Sequence, residues 1–374
     1  MGIYFCKNNF FNKITNVNLS KFAKYQNILE FYEGLNKKNM RTFLEKLLNF
    51  FKRLLYSFNK LSIAKKILYV LVFIWISLGL FSQYPEVEDS YSLRFIHFFT
   101  GGAKKEIADL MPKKDTVTTL DLIWKGLTEV PTEIYAFANL KILVLEINAL
   151  KDLPEDINRL EKLEELYLMR NKIELLPTSL FQIQNLKRLN VSYNQLKKVP
   201  KELINAKNLK ELILLKNNLE KIPEGLSDLS KLQVLDVSEN SLEKLPDSLI
   251  KLKKLRILAA ENNQLSTFPT LDSLSIEEIR LSNNQLTNIP AEIGFYKNLK
   301  TLHLSGNQLT SLPKEIGLLV NLENLSIAEN QIVSLPEEIK NLKKLTYIYL
   351  RSNKLSETER DKLEKWFPNM SFRW

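Results

Sequence analysis

The chain has 374 residues, 45% hydrophobic and 26% charged, which excludes a globally disordered protein and allows several domains or one long repeat array. The formal net charge is +10, but residues 1–66 hold thirteen of the 53 basic and three of the 43 acidic residues. The remainder is neutral, with 40 residues of each sign, which argues against a nucleic-acid-binding body. Cys6 is the only cysteine, so an internal disulfide framework and a thiolate zinc site are excluded.

Residues 1–66 form a basic segment with a helical pattern. Between Phe43 and Phe58 apolar residues recur at helical spacing, while Lys46, Lys52 and Arg53 fall at other positions. Such a helix can lie on an anionic membrane surface or pack on neighbouring N-terminal helices, and the sequence leaves both open.

The stretch from Ile67 to Pro85 contains nineteen residues without a charge. As a helix it would be about 28 Å long, close to the ~30 Å hydrocarbon thickness of a bilayer. It is apolar all round, whereas a soluble core helix of this length usually has a polar face. We therefore interpret residues 67–85 as an uncleaved transmembrane anchor.

A cleaved signal peptide and a buried soluble helix are the alternatives for this stretch. More than sixty residues precede it and no Ala-x-Ala-like site follows, which disfavours a signal peptide. Basic residues precede the stretch, and Glu86, Glu88 and Asp89 follow it. Because the basic flank tends to stay cytoplasmic, we expect a single-pass protein with a cytoplasmic N-terminus. The later residues would then lie in a periplasm or outside the cell.

Residues 86–116 are interpreted as a linker and an N-terminal cap, and a periodic pattern follows them. Successive prolines are 23 residues apart, except for a 21-residue step from Pro269 to Pro290, and asparagines recur at the same spacing. The shared pattern is L-x-L-x-x-N-x-L followed by a Pro-containing segment. The prolines are Pro131, Pro154, Pro177, Pro200, Pro223, Pro246, Pro269, Pro290, Pro313 and Pro336. The asparagines are Asn148, Asn171, Asn194, Asn217, Asn240, Asn263, Asn284, Asn307, Asn330 and Asn353.

This pattern resembles the leucine-rich repeat family in its Pro-containing, 23-residue subtype. The subtype occurs in bacterial leucine-rich repeat proteins and in the intracellular Ras-associated repeat group. The resemblance covers residues 117–355 in eleven units. It implies an α/β fold, a right-handed leucine-rich repeat solenoid with a curved parallel sheet and an irregular or short helical convex side. The α-helical N-terminal segment with the transmembrane helix would precede it.

The spacing supports the same fold on physical grounds. Alternating leucines such as Leu120 and Leu122 place both side chains on one face of a short strand. A strand of three residues cannot bury that face alone, but stacked units form a continuous core. The asparagine amide can donate and accept, so it can satisfy turn backbone groups. Proline fixes φ and has no N–H to satisfy.

The ends of the array depart from the repeat, as caps do. The first unit has Lys125 in place of the asparagine. At residues 356–374, Ser356 and Glu359 have the spacing of a capping box, which predicts a C-terminal helical cap. The 21-residue unit predicts a kink or tightened turn on the convex side.

The sequence shows no catalytic constellation. His97 and His303 are the only histidines, and neither a P-loop nor a dinucleotide fingerprint occurs. We expect no enzyme activity, no cofactor and no metal. An active site within residues 1–116 is the poorly supported alternative.

Solenoids bind partners on the concave sheet face, and the outward positions of units one to five are unusually apolar. From the sixth unit the outward positions become polar, and Tyr347, Tyr349 and Arg351 restore aromatic and basic character at the end. Adjacent apolar residues on neighbouring strands indicate an interaction site. The predicted partner-binding residues are Trp124, Val144, Ile147, Tyr167, Met169, Tyr193, Ile213 and Leu215, with Ile123 beside them.

The sequence therefore predicts a monomeric, membrane-anchored protein that recognises a protein or peptide and binds no nucleic acid. A cytoplasmic signalling scaffold of the Ras-associated type and a surface adhesin are the alternatives. A further alternative is that the N-terminal segment or the cap covers the apolar surface.

Overall fold

The computed structural model describes residues 102–269, 271, 275–370 and 372. The basic segment and the uncharged stretch at residues 67–85 lie outside the described residues. Within the described residues, no helix has the length and apolar character that a membrane crossing requires.

Eleven strands form one parallel sheet in which each strand pairs with the next along the chain. Each strand is only three residues long, as the L-x-L pattern predicts. The strands are β1 Thr119–Asp121, β2 Ile142–Val144, β3 Glu165–Tyr167, β4 Arg188–Asn190, β5 Glu211–Ile213, β6 Val234–Asp236, β7 Ile257–Ala259, β8 Glu278–Arg280, β9 Thr301–His303, β10 Asn324–Ser326 and β11 Tyr347–Tyr349.

The register of the sheet repeats the period of the sequence. Leu120 pairs with Leu143, and Leu143 pairs with Leu166, so residues one repeat apart become neighbours in space. The central residue of each strand is buried in one continuous apolar core, and its two neighbours point to the opposite face. Sequence positions 23 residues apart therefore form rows across the sheet, at the ~4.8 Å spacing of paired strands.

Short 3-10 helices form the opposite side of nine units. In each, a proline precedes the helix and its carbonyl accepts a bond from an N–H three residues later, as from Ile134 to Pro131. That Ile or Leu is buried and returns the segment to the core. The helices are Thr132–Ala136, Glu155–Arg159, Thr178–Gln182, Lys201–Asn205, Glu224–Asp228, Asp247–Lys251, Ala291–Phe295, Lys314–Leu318 and Glu337–Asn341.

The recurring asparagine binds adjacent units together through its side-chain amide. Asn171 donates to the carbonyls of Leu168 in its own unit (3.0 Å) and Leu145 in the preceding unit (2.9 Å). Its Oδ1 accepts the backbone N–H of Leu150 at 3.0 Å. The side chain is 8% exposed, so these bonds satisfy backbone groups that water cannot reach. The same bonding pattern recurs at Asn194, Asn217, Asn240, Asn263, Asn284, Asn307, Asn330 and Asn353.

A helix lies at each described end of the array. At the N-terminal end, α1 (Gly102–Leu110) buries Ala103 and Ile107 in the core and continues into a 3-10 helix at Met111–Thr116. Lys125, the residue in place of the first asparagine, forms an ion pair of 2.7 Å with Glu106 of α1.

At the C-terminal end, α2 (Glu357–Trp366) begins after Ser356, whose Oγ accepts the N–H of Glu359 at 3.2 Å. Leu363 is fully buried, and Trp366 and Phe367 pack on the core. The helix therefore covers apolar side chains of the last unit.

The 21-residue unit has no 3-10 helix among its described residues 260–269, 271 and 275–277. Tyr296 of the next unit compensates for part of the loss. Its ring is 2% exposed and its hydroxyl both accepts the N–H of Leu271 (3.1 Å) and donates to the Leu271 carbonyl (3.2 Å). In the following unit, the equivalent position holds Leu319, which has no such group.

Replacing Tyr296 with Phe removes only this hydroxyl. The backbone N–H and carbonyl of buried Leu271 then lose their hydrogen bonds to it. We expect the free energy of unfolding to fall by about 2 kcal/mol, because an unsatisfied buried polar group costs roughly 1–3 kcal/mol. Chemical denaturation followed by circular dichroism measures the change. The control Tyr349→Phe, at a 53% exposed ring, should change it by less than about 0.5 kcal/mol. Equal effects of the two variants would show that the hydroxyl bonds are unimportant.

Candidate functional site

The predicted partner-binding residues lie together on the sheet face that points away from the core, which is the concave face of a repeat array. We call them the N-terminal concave patch. Val144, Tyr167 and Ile213 end strands β2, β3 and β5, and Met169 and Leu215 follow two residues later. The patch residues Trp124, Val144, Ile147, Tyr167, Met169, Tyr193, Ile213 and Leu215 are all half-buried, and adjacent Ile123 is exposed.

The residue before each ladder asparagine has a left-handed backbone. Ile147, with φ of +54°, and Tyr193, with φ of +56°, occupy this position in the patch, as does Trp124 at the equivalent place in unit one. Left-handed backbone costs an ordinary L-residue roughly 1–2 kcal/mol, and a β-branched residue such as Ile is especially unfavourable there. In the C-terminal half, the same position holds Glu239, Asn262, Asn283, Gly306, Glu329 and Ser352, of which the asparagines and the glycine tolerate this conformation.

Two cations flank the Tyr193 ring. The Arg170 guanidinium lies 5.4 Å from the ring centroid and the Lys216 ammonium 5.3 Å from it. All three residues belong to the left-handed row, in units three to five. Lys216 also pairs with Glu239 at 3.3 Å. This end of the patch is therefore basic and aromatic.

A charge network that the sequence interpretation missed crosses the patch. Arg188 of β4 binds both carboxylate oxygens of Glu211 (2.7 Å each), Glu165 (3.1 Å) and the Tyr167 hydroxyl (2.8 Å). The Tyr167 hydroxyl donates to Glu165 at 2.6 Å. Burial is the largest cause that raises the pKa of Tyr167, and its bond to Glu165 adds to it. The bonds to Glu211 are the largest cause that raises the pKa of Arg188, so it stays a cation.

The signal for this network was the alternation Glu165, Arg188, Glu211 at 23-residue spacing. These residues precede the first strand leucine, whereas the predicted set included only positions between and after the two leucines. The register of the sheet makes the three side chains neighbours. The candidate surface thus carries charged side chains among its apolar and aromatic ones.

The repeat model decides the family. A leucine rich repeat model matches residues 138–196, 161–219, 207–265 and 297–355, which together make up half of the chain. A second model of two leucine rich repeat copies matches residues 275–315. The chain belongs to the leucine-rich repeat family. Among curated proteins, no sequence matches it.

Several solved leucine-rich repeat structures are similar to the chain. The plant peptide hormone receptor RGFR1 in complex with RGF2 is 30% identical, with a TM-score of 0.50, over 61% of this chain and 42% of the receptor chain. A TDR receptor is 26% identical, with a TM-score of 0.64, over 71% and 48%. The matches thus span less than half of both receptors. An internalin from Listeria monocytogenes is 21% identical, with a TM-score of 0.56, over 70% and 81%, which shows the common fold.

The C-terminal half of the leucine-rich repeat face is polar. His303 ends β9 between Arg280 and Ser326 in register, and it is half-buried. The last strand differs: Tyr347 and Tyr349 stack with ring centroids 6.5 Å apart and are 55% and 53% exposed.

The described part of this leucine-rich repeat chain contains no cluster of three or more His, Cys, Asp or Glu residues that could hold a metal ion. His97 and Cys6 lie outside the described residues.

Exchanging residues at the left-handed position tests the backbone cost. Ile147→Asn should raise the free energy of unfolding by about 1 kcal/mol, and the reciprocal Asn262→Ile should lower it by about 1 kcal/mol. The backbone is the same at both sites, with φ of +54° and +53°. Denaturant titration of both variants measures the changes. Destabilisation by Ile147→Asn would mean that packing of Ile147 outweighs its backbone cost.

Proposed function

We propose that the chain is a membrane-anchored, non-enzymatic recognition protein that binds a protein or peptide through the N-terminal concave patch. The occupancy of the left-handed row carries the proposal. Trp124, Ile147 and Tyr193 stand where Asn or Gly would be less strained, so their side chains are favoured for the surface they present. Large, half-exposed apolar and aromatic side chains are typical anchors of interfaces.

The array is suited to an extended partner. The patch residues extend over five consecutive strands, a length of about 20 Å at the ~4.8 Å spacing of paired strands. The similarity to RGFR1, a receptor in complex with RGF2, supports a peptide ligand. The mixture of apolar and charged side chains on this face would provide both contact area and polar specificity.

The membrane anchor at residues 67–85 is part of the proposal and rests on the sequence. Nineteen uncharged residues match the bilayer thickness, and the excess of basic residues on their N-terminal side favours a cytoplasmic N-terminus. The concave patch would then sample a periplasm or the cell exterior.

Photo-crosslinking in the native cell tests the patch. A photoreactive residue at Trp124 or Tyr193 should capture the same partner, because both side chains belong to the proposed surface. The matched position Asn283 has the same left-handed backbone in the polar half and should capture little. Adding Ile147→Asn should abolish capture from Trp124. Crosslinks only to residues 1–116 of the same chain would show that the protein covers its own patch.

A reporter fused after Trp374 tests the topology. A reporter that is active only outside the cytoplasm should be active in the fusion. Its counterpart that works only in the cytoplasm should be inactive, with immunoblots showing equal amounts of both fusions. The opposite pattern would exclude the anchor orientation and favour the cytoplasmic scaffold.

A further inference from the structure

Glu146 is an acidic residue within the apolar rows of the patch. It follows β2 by two residues, and the ladder continues past it: Trp124 N–H donates to the Glu146 carbonyl at 3.0 Å, and Ile147 N–H donates to Met169 at 2.8 Å. These bonds place Glu146 in one row between Ile123 and Met169. Its side chain is half-buried. Glu146 therefore lies between two apolar residues on a face that is partly removed from water.

The carboxylate of Glu146 has no ion pair within the part of the chain that the structure describes. By contrast, Glu165 and Glu211 share Arg188, and Glu239 pairs with Lys216. Two effects raise the pKa of Glu146: burial is the larger, and repulsion by the charge of Asp121 is the second. Among the described residues, Asp121 accepts the N–H of Ile123 at 2.9 Å and forms no ion pair. Two carboxylates of units one and two thus have no cation partner in the part of the chain that the structure describes.

An uncompensated, partly desolvated carboxylate destabilises the fold, and a bound cation would reverse that cost. A metal ion is a poor match, because two carboxylates fall short of the several oxygen ligands that calcium takes, and no larger group is present among the described residues. A lysine or arginine side chain matches better. Its aliphatic stem can pack on Ile123 and Met169 while its head group binds the carboxylates.

The charges of the patch are also polarised. Its acidic end, Asp121 and Glu146, lies in units one and two, whereas Arg170 and Lys216 flank Tyr193 in units three to five. The charges between these ends are those of Glu165, Arg188 and Glu211, which bind one another. Within the patch, Asp121 and Glu146 are the carboxylates without an ion pair among the described residues, so we expect a basic residue of a partner at units one and two, which would orient the partner along the patch.

We infer that Asp121 and Glu146 form a subsite for a lysine or arginine side chain of the bound protein or peptide, flanked in that partner by apolar residues. This inference rests on the proposed function of the patch and adds the chemistry of its ligand. Arginine fits best, because its planar guanidinium can donate two parallel bonds to a carboxylate, whereas a lysine ammonium acts as a point charge.

The test selects ligands from a library of random displayed peptides on the full-length chain in detergent micelles. Selected peptides should be enriched in arginine or lysine next to apolar residues. Glu146→Gln should weaken their binding about tenfold or more, the loss expected for a buried charge-assisted bond. The matched control is Glu261→Gln, because Glu261 occupies the same row in unit seven between Ser238 and Ser282 and is also half-buried. That variant should bind as tightly as the unmodified chain.

Two further measurements separate binding from folding. Glu146→Gln should be at least as stable to denaturant as the unmodified chain, because it removes an unpaired carboxylate whose pKa is raised. On the unmodified chain, affinity should fall as the pH is lowered through that raised pKa, since the protonated group no longer attracts a cation. Glu146→Gln should show a weaker pH dependence. Any loss of stability in the variant can therefore be distinguished from loss of the subsite.

The outcomes distinguish the inference from the proposed function. Peptides whose binding depends on Ile147 but that carry no basic residue, or that bind Glu146→Gln unchanged, would overturn the subsite and leave the patch intact. Failure to select any peptide whose binding is lost in Ile147→Asn would overturn the peptide-binding patch and the subsite together.

Discussion

The amide of the ladder asparagine is the interaction on which the rest of the structure depends. A three-residue strand makes too few backbone bonds to hold its neighbours alone. Asn171 shows how the amide adds to them: it binds carbonyls of two successive units and accepts an N–H of the preceding unit. Because one side chain satisfies groups of two units, the spacing between asparagines must stay constant. The 21-residue unit keeps the asparagine and the strand and is two residues shorter on the opposite side. There the Tyr296 hydroxyl bonds the backbone of Leu271.

The left-handed residue before each ladder asparagine connects the backbone to the chemistry of the concave surface. The chain turns through a left-handed residue immediately before the asparagine, so each unit offers one position where backbone preference and surface chemistry compete. Asn262 and Asn283 follow the backbone preference, while Ile147 and Tyr193 oppose it. Glu239, Glu329 and Ser352 also oppose it in the polar half, so the N-terminal half is distinguished by the apolar and aromatic character of Trp124, Ile147 and Tyr193 on the same backbone.

Outside its basic N-terminal segment the chain has no net charge. The register of the sheet nevertheless distributes the charged side chains unevenly over the concave face. Residues 23 apart become neighbours, so Arg188 meets a glutamate on each side and forms an ion pair with both. Glu146 has apolar row neighbours and remains without a cation in the described structure, and its raised pKa reports that environment. A partner is expected to complete this charge pattern where the chain itself does not.

The sequence by itself determined the eleven strands, the buried leucines, the asparagine ladder and the outward positions of the patch. The reason is that each unit packs between nearly identical units, so the repeat period sets its backbone conformation. It also predicted the Ser356 helix start, which depends on residues three apart. The anchor at residues 67–85 remains a prediction from sequence. Only the tertiary structure decided which outward groups pair, such as Arg188 with two glutamates, and which have no ion pair among the described residues, such as Glu146. Side-chain reach and burial depend on distances between units, and periodicity does not encode those distances.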